Sequence, residues 1–304
     1  RRRSLTTIIG MTLALFATIQ YSGLVTGYIA SLEAKVLDVE MGDMQVHAKG
    51  YRRNPSVHLR MDDSAAIVEA LEKAGLHASP RLMGSGLAAA KDNSAGVQIQ
   101  GIDIARDAKV SKVFQRIHAG KWLAADDPKG VVVGKLLARN LEVSVGSELI
   151  LLSQAADGSS ANDIYKVRGV LGTVGGAIDR GGVLLTEGAF RELLVVPQGA
   201  HRIVIRRPLG GDAQRFATPA LVRAAAVDAV GKHELLAWRE LVPTLAQMLD
   251  TSRAAMGMMF MIVYIAIAIV VLNTMLMAVF ERIREFGMLK AIGMSPLTVI
   301  QLVL

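Results

Sequence analysis

The sequence predicts a helical membrane protein that carries a large α+β extracytoplasmic domain. Three observations lead there. Two runs, Leu5 to about Ala30 and Met256 to Phe280, contain no charged residue and no proline. Each is about 25 residues long, and a bilayer core needs roughly 20. Between them lie about 200 residues with alternating strand and helix patterns, well above a minimal domain. The second run then stops at a dense cluster, Glu281, Arg282, Arg284, Glu285 and Lys290. Such charges cannot sit in hydrocarbon, so they mark a membrane exit.

The first segment, residues 1–40, is read as a transmembrane and stalk helix. Arg1, Arg2 and Arg3 flank one end of its apolar run, and Arg282, Arg284 and Lys290 flank one end of the second. By the positive-inside rule both ends face the cytoplasm, so the N-terminus is cytoplasmic and residues about 31–250 lie outside the plasma membrane. The pair Arg2-Arg3 before Ser4-Leu5 loosely resembles a twin-arginine signal. The apolar run is too long for a secretory h-region, however, and no small-x-small cleavage site follows it. No proline interrupts Leu5 to Asp38, and Leu32, Val36 and Val39 extend the apolar stripe past the interface.

The outer domain is read as a split βαβ-like subdomain bracketing an inserted β-rich one. Its first half, 41–130, opens with a strand at Met44–Ala48 and turn-rich Tyr51–Ser56. Asp62-Asp63-Ser64 is placed to cap a helix through Lys73 that Gly75 stops, and His77–Met83 forms the next strand. The β-rich insertion, 131–200, has strands at Leu149–Ser153, Tyr165–Val170 and Gly182–Thr186. Gly172–Gly182 reads as a long flexible loop at a tip. The second half, 201–241, repeats the unit with His201–Arg206, a helix from about Asp212 to Val230 stopped at Gly231, and Leu235–Trp238.

Residues 242–281 form the second stalk and span, with Pro243 suited to a first helical turn. About 38 residues without a break reach roughly 57 Å, against about 30 Å of hydrocarbon, so the remainder projects outward. Beyond Phe280 the helical period continues through Ile283, Phe286, Gly287 and Leu289, and the same rod is expected to run on into an interfacial helix over 282–294. The charges on it form either an ordinary juxtamembrane belt or a docking element for a soluble partner.

Composition excludes several classes. With no cysteine, neither a disulfide framework nor a Cys-based metal or redox site is possible. The net charge of +7 is spread without a basic block, so nucleic acid is not the natural partner. His47, His58, His77, His118, His201 and His233 lack metal-like spacing, and no HExxH or paired-carboxylate frame is present, so no catalytic or metal residue is assigned. The segment Gly130-Val-Val-Val-Gly134-Lys135-Leu136 has the wrong spacing for a phosphate loop and no hydroxyl residue after the lysine.

Within the spans, Gly23, Gly27 and Ser31 recur every four residues and form a small-residue stripe suited to a close helix contact. Gln20 and Asn273 are polar and can bond across helices or meet a substrate. Methionines crowd the second span, Met259 among them, and suit either packing or a cavity for varied acyl chains.

The pattern N-x-M-x-x-x-V-x-E-R-x-R-E-x-G-x-x-K-A-I-G, held by Asn273 through Gly293, resembles the FtsX/MacB-type permeases of ABC transporters. Among these the outer domain looks most like the LolC/LolE lipoprotein-releasing branch. Gly42-Asp43-Met44-Gln45-Val46-His47, Gln100-Gly101-Ile102-Asp103, Val133-Gly134-Lys135-Leu136-Leu137-Ala138 and Val145-Gly146-Ser147-Glu148-Leu149 carry that likeness. The resemblance implies four membrane helices in the full protein, with residues 295–304 starting the third, so the chain is expected to be a piece lacking the last two spans. It implies a dimer, with an identical or paralogous second permease copy, on a separate cytoplasmic ABC ATPase that holds ATP and Mg²⁺. No cofactor is expected on this chain. Glu281, Arg282, Arg284, Glu285, Gly287, Lys290 and Gly293 become the ATPase-coupling residues. Gln20, Gly23, Gly27, Met259 and Asn273 become helix-contact or substrate-cavity candidates. The implied cargo is a lipoprotein extracted from the inner membrane and passed to a periplasmic carrier, with Gly172–Gly182 as the candidate carrier loop.

Three rival functions stay open. A MacB-like exporter expels peptides or drugs, and usually carries a fused ATPase ahead of the first span. An FtsX-like regulator activates a cell-wall hydrolase through a smaller outer domain. A sensor without an ATPase is the third, against which the coupling pattern speaks.

Overall fold

An uninterrupted apolar run without proline gives α1, Arg2–Val36, in the computed structural model, which describes residues 2–208, 219–295 and 298. Contacts divide the chain into a helical unit, residues 1–31 with 244–304, and a domain, residues 32–243.

In the domain, α1 gives way to a π-helical turn, Leu37–Met41, and then to Gly42 at φ +63°. Only glycine fits there: a Cβ would lie 2.6 Å from both the Ile205 carbonyl oxygen and Val204 Cγ1. The chain continues through β1 (Met44–His47), α2 (Ser64–Lys73), β2 (His77–Ala90), β3 (Asn93–Ile102) and α3 (Ile104–Val110). Next come β4 (Ile117–Gly120), β5 (Gly130–Val133), α4 (Lys135–Asn140), β6 (Glu148–Gln154), β7 (Ser160–Leu171), α5 (Gly176–Gly181) and β8 (Gly182–Thr186). It closes with α6 (Glu187–Leu194), β9 (Arg202–Arg206), α7 (Pro219–Val230), β10 (Glu234–Ala237) and α8 (Trp238–Leu241).

Strand pairing organises the domain into two lobes that share β2. Strands β10-β1-β9-β2 form an antiparallel four-stranded sheet. With α2 between β1 and β2 and α7 between β9 and β10, this is the split βαβ arrangement. Ile67, Val68 and Leu71 of α2 and Val222, Ala226 and Val230 of α7 pack with Met44, Val46, Ile203 and Ile205 in one core. The second lobe closes on itself: β2 pairs β3, β3 pairs β8, β8 pairs β5, β5 pairs β7, β7 pairs β6, and β6 returns to β2. Closure pairs most of the edge that an open sheet of this length would present, leaving a short gap on β2 between its β9 and β6 partners. Its interior is filled by Leu82, Ile99, Val131, Val133, Leu149, Leu151, Tyr165 and Val183, capped by Phe190 of α6.

Three local expectations are corrected in the domain. The inserted block does not stand apart from residue 131, because the distal half of β2 and all of β3 complete its ring. Asp63 precedes α2 but makes no capping bond; its carboxylate instead accepts from His233 Nε2 at 2.8 Å, a partner 170 residues away. Gly172–Gly182 is not a free loop. Asp179 accepts from the Val174 and Gly175 N–H groups at 2.9 and 3.0 Å, and Ile178 is buried, which winds Gly176–Gly181 into α5. The expected helix from Asp212 falls partly on residues 209–218, outside the described residues.

Helix α9 follows as 39 residues, Pro243–Glu281, and α10 covers Ile283–Ala291. Among the described residues two helices are long and apolar enough to cross a membrane, Thr12–Val39 and Pro243–Glu281. The expected third span over 295–304 lies outside the described residues except at 295 and 298.

Candidate coupling site

The end of α9 is set by the arrival of charge, and its geometry corrects the expectation of one continuous rod. At Arg282 the backbone leaves the helical region, with φ −102° and ψ 8°. The Arg282 N–H donates to the Val279 carbonyl three residues back, at 3.1 Å, which tightens the last turn before α10 begins. The other end of α10 closes on Gly293 at φ +96°. Its N–H donates to Lys290 C=O at 3.1 Å and the Met294 N–H to Leu289 C=O at 3.2 Å, the paired bonds of a Schellman cap. The result is a short helix with defined start and stop.

All five charges here, Glu281, Arg282, Arg284, Glu285 and Lys290, are exposed. Among the described residues none of them is ion-paired. Their positions separate two kinds of role. Glu285 lies in the first turn of α10 and Lys290 in the last, where each complements the helix dipole. Arg282 and Arg284 crowd the N-terminus, where positive charge is unfavourable, so helix stability does not account for them. Gly287 is exposed, and a Cβ built on it would meet nothing within 4 Å, so a partner surface has close access to the α10 backbone there.

The candidates on the two long apolar helices are all exposed. Gln20 is exposed on α1, as are Met259 and Asn273 on α9. A Cβ on Gly23 or Gly27 would meet nothing within 4 Å, so among the described residues no side chain packs against these two positions of the small-residue stripe. Thr26, Ile29 and Ala30 of α1 and Met256, Gly257 and Phe260 of α9 line one cleft of about 270 Å³, with Arg253 beside it. The sequence reading missed this group. Gly257 and Phe260 sit three residues apart on one helical face, and that spacing was the available signal.

A clamp at the base of the domain also went unread. Asp38, in the π turn, pairs with Lys112 Nζ at 2.6 Å and with Arg206, while Lys112 N–H donates to Asp38 C=O. Asp43 accepts from the Arg207 N–H at 2.8 Å and from its guanidinium at 3.0 Å, and its own C=O accepts from Trp238 N–H at 3.3 Å. Met44 and Ala237 are opposite each other in the β1–β10 register. The segments leading into and out of the domain are therefore tied to adjacent strand ends by charge and by backbone. The signal was present in Gly42-Asp43, but the partner of the Asp43 carboxylate, Arg207, lies 164 residues away.

Two histidines are held in buried contacts within the domain. His201 Nδ1 accepts from Met83 N–H at 3.1 Å and Nε2 donates to Val57 C=O at 3.0 Å. His47 is buried beside Gln45 Oε1 at 3.0 Å, and burial, with Arg202 and Arg52 nearby, pushes its pKa down to about 3. Among the described residues no group of three His, Asp or Glu side chains is placed to hold a metal ion.

The family model of the MacB-like periplasmic core domain matches residues 4–226, and that of the FtsX-like permease C-terminal region matches residues 257–304. No curated protein matches the chain. Among solved structures it is similar to the extracellular domain of the noncanonic ABC-type transporter YknZ from Gram-positive bacteria, at 11% identity and a TM-score of 0.43, covering 64% of this chain and 97% of that one. It is also similar to the periplasmic region of MacB from Actinobacillus actinomycetemcomitans, at 13% identity and a TM-score of 0.46, covering 69% of this chain and 93% of that one.

Proposed function

This chain belongs to the FtsX/MacB-type permeases of ABC transporters, and from that membership we propose that its α9–α10 turn is the point at which a cytoplasmic ATPase drives the outer domain. The observation that carries this reading is the turn itself. A 39-residue helix without an internal break ends in exposed charges on a short, separately capped helix. Closure of the ATPase on ATP pushes on Arg282 and Arg284, with Glu281, Glu285 and Lys290 completing the contact. Gly287 admits close approach, and Gly293 turns the chain away. A helix of about 39 residues spans roughly 58 Å, enough to cross the bilayer and project beyond it, so the displacement reaches the outer side. The clamp of Asp38 and Asp43 fixes the other lead-in to the domain, so force enters the sheet at β1 and β10.

In this reading the ATPase is a separate subunit holding ATP and Mg²⁺, and the permease works as a dimer in the inner membrane with the domain outside. The cargo is a lipoprotein drawn from the outer leaflet between helices and handed to a soluble carrier, so nothing crosses the membrane. The MacB-like description of the domain's family favours a second reading, export of peptides or drugs already outside. A photo-crosslinking residue at Gln20 or Met259 of the full-length protein, with adducts identified by mass spectrometry, separates them. Acylated lipoproteins at either position are expected. Adducts only to neighbouring helices, with soluble peptides held by the domain alone, would establish the exporter.

A further inference from the structure

Strand β2 changes partners along its length. Residues His77–Arg81 pair with β9 and Gly86–Ala89 pair with β6, so Leu82–Ser85 has no strand on that edge. Side chains cap part of it: the Met83 N–H goes to His201, and the Ser85 C=O accepts from Ser153 Oγ at 2.7 Å. Two groups on the same edge, Met83 C=O and Ser85 N–H, have no partner among the described residues. They flank Gly84 in the spacing with which an antiparallel strand is met by a neighbour's N–H and C=O.

This edge opens on a cleft of about 850 Å³ where the four-stranded lobe meets the ring. The volume falls within the range of ligand sites. Arg180, exposed at the end of α5, is the single formally charged side chain among the residues lining it, and no carboxylate lines it. Gly96, on the floor beside Gln98, has no atom within 4 Å of where a Cβ would stand, so an incoming backbone has room.

We propose that this cleft binds an extended, acidic peptide segment of an extracytoplasmic partner protein, added as a short strand on β2 at Gly84 with a carboxylate on Arg180. Main-chain bonds at Met83 and Ser85 hold the segment, and the guanidinium selects its charge. The site needs neither the ATPase nor a lipid anchor on the partner, so it stands or falls apart from the coupling reading.

The test uses the full-length permease in lipid nanodiscs. A dye-labelled pentapeptide of alternating valine and aspartate is titrated by anisotropy beside its valine–lysine counterpart, and hydrogen exchange at Ser85 is followed. The acidic peptide is expected to bind, the basic one to fail, and the Ser85 amide to slow its exchange on binding. Arg180→Glu, at an exposed position, weakens the acidic peptide about tenfold or more. Ser85→Pro abolishes binding while removing no native hydrogen bond, and the exchange measurement on the unaltered chain decides the matter where that variant fails to fold. No binding of the acidic peptide, equal binding of both peptides, indifference to Arg180→Glu, or protection elsewhere with Ser85 unchanged would each overturn the proposal.

Discussion

The outer domain and the α9–α10 turn treat charge in opposite ways. In the domain, Arg81 and Asp107 pair at 2.8 Å with side chains only 3% and 6% exposed, and Asp38 and Asp43 are gripped by Lys112, Arg206 and Arg207. In the turn, five charges within ten residues point outward, and among the described residues none is paired. Charge inside the domain is spent on fixing one geometry, because an unpaired buried ion is costly. Charge on the turn is left available, which is what a surface meeting a separate partner requires. Substitutions in the first region should therefore damage folding, and substitutions in the second should damage coupling while leaving folding intact.

Asp107→Ala presses hardest on that contrast. It leaves the Arg81 guanidinium without its buried carboxylate, and is expected to cost about 3–5 kcal/mol in denaturant unfolding of the domain. A loss below about 1 kcal/mol would show that the pair is not the fixed point described. Acid probes the same region. His47 has a folded pKa of about 3 against an ordinary 6.5. Between those values the unfolded chain binds a proton that the folded chain does not, so stability falls as pH drops through that window, by about 1.4 kcal/mol per pH unit. Burial lowers His201 as well, with the same sign. Replacing His47 with asparagine should flatten the slope between pH 6 and 4, and an unchanged slope would assign the effect elsewhere.

Two further substitutions fall in the turn. Gly293→Ala places a Cβ at φ +96° and is expected to fray the end of α10 at a cost of about 1 kcal/mol, visible as faster amide exchange at Gly293 and Met294. Arg284→Glu should change the unfolding of the domain by less than about 0.5 kcal/mol, and it puts a favourable charge in the first turn of α10. Transport-coupled ATP hydrolysis should nevertheless be lost. A fall in domain stability comparable to that of Asp107→Ala would erase the distinction between the regions.

How much of this was legible in the sequence follows from the range of the interactions involved. The apolar runs were readable because length and absence of charge are local properties, and Pro243 marked the start of α9 by its own chemistry. The strand at Met44 showed in its alternation of apolar and polar residues, and the one at Gly182 in its short apolar run. The break at Arg282 was not readable, since one residue leaving the helical region does not disturb the period on either side. The ring was hidden because β2 is shared, and nothing local says that Gly86–Ala89 will pair with β6. Asp63 looked like a cap until His233 arrived from the far end of the domain. The clamp partners of Asp38 and Asp43 were out of reach for the same reason.

Contact between α10 and the ATPase can be probed by a short-range cross-link. In the full-length complex, a cysteine replacing Arg284 would carry a photo-activated linker, and the adduct would be followed with and without ATP. A cross-link to the ATPase subunit whose yield changes on nucleotide binding is expected, together with loss of the complex when Arg282 and Arg284 are both reversed to glutamate. An intact, ATP-responsive complex in which position 284 links only to lipid or to permease would contradict it.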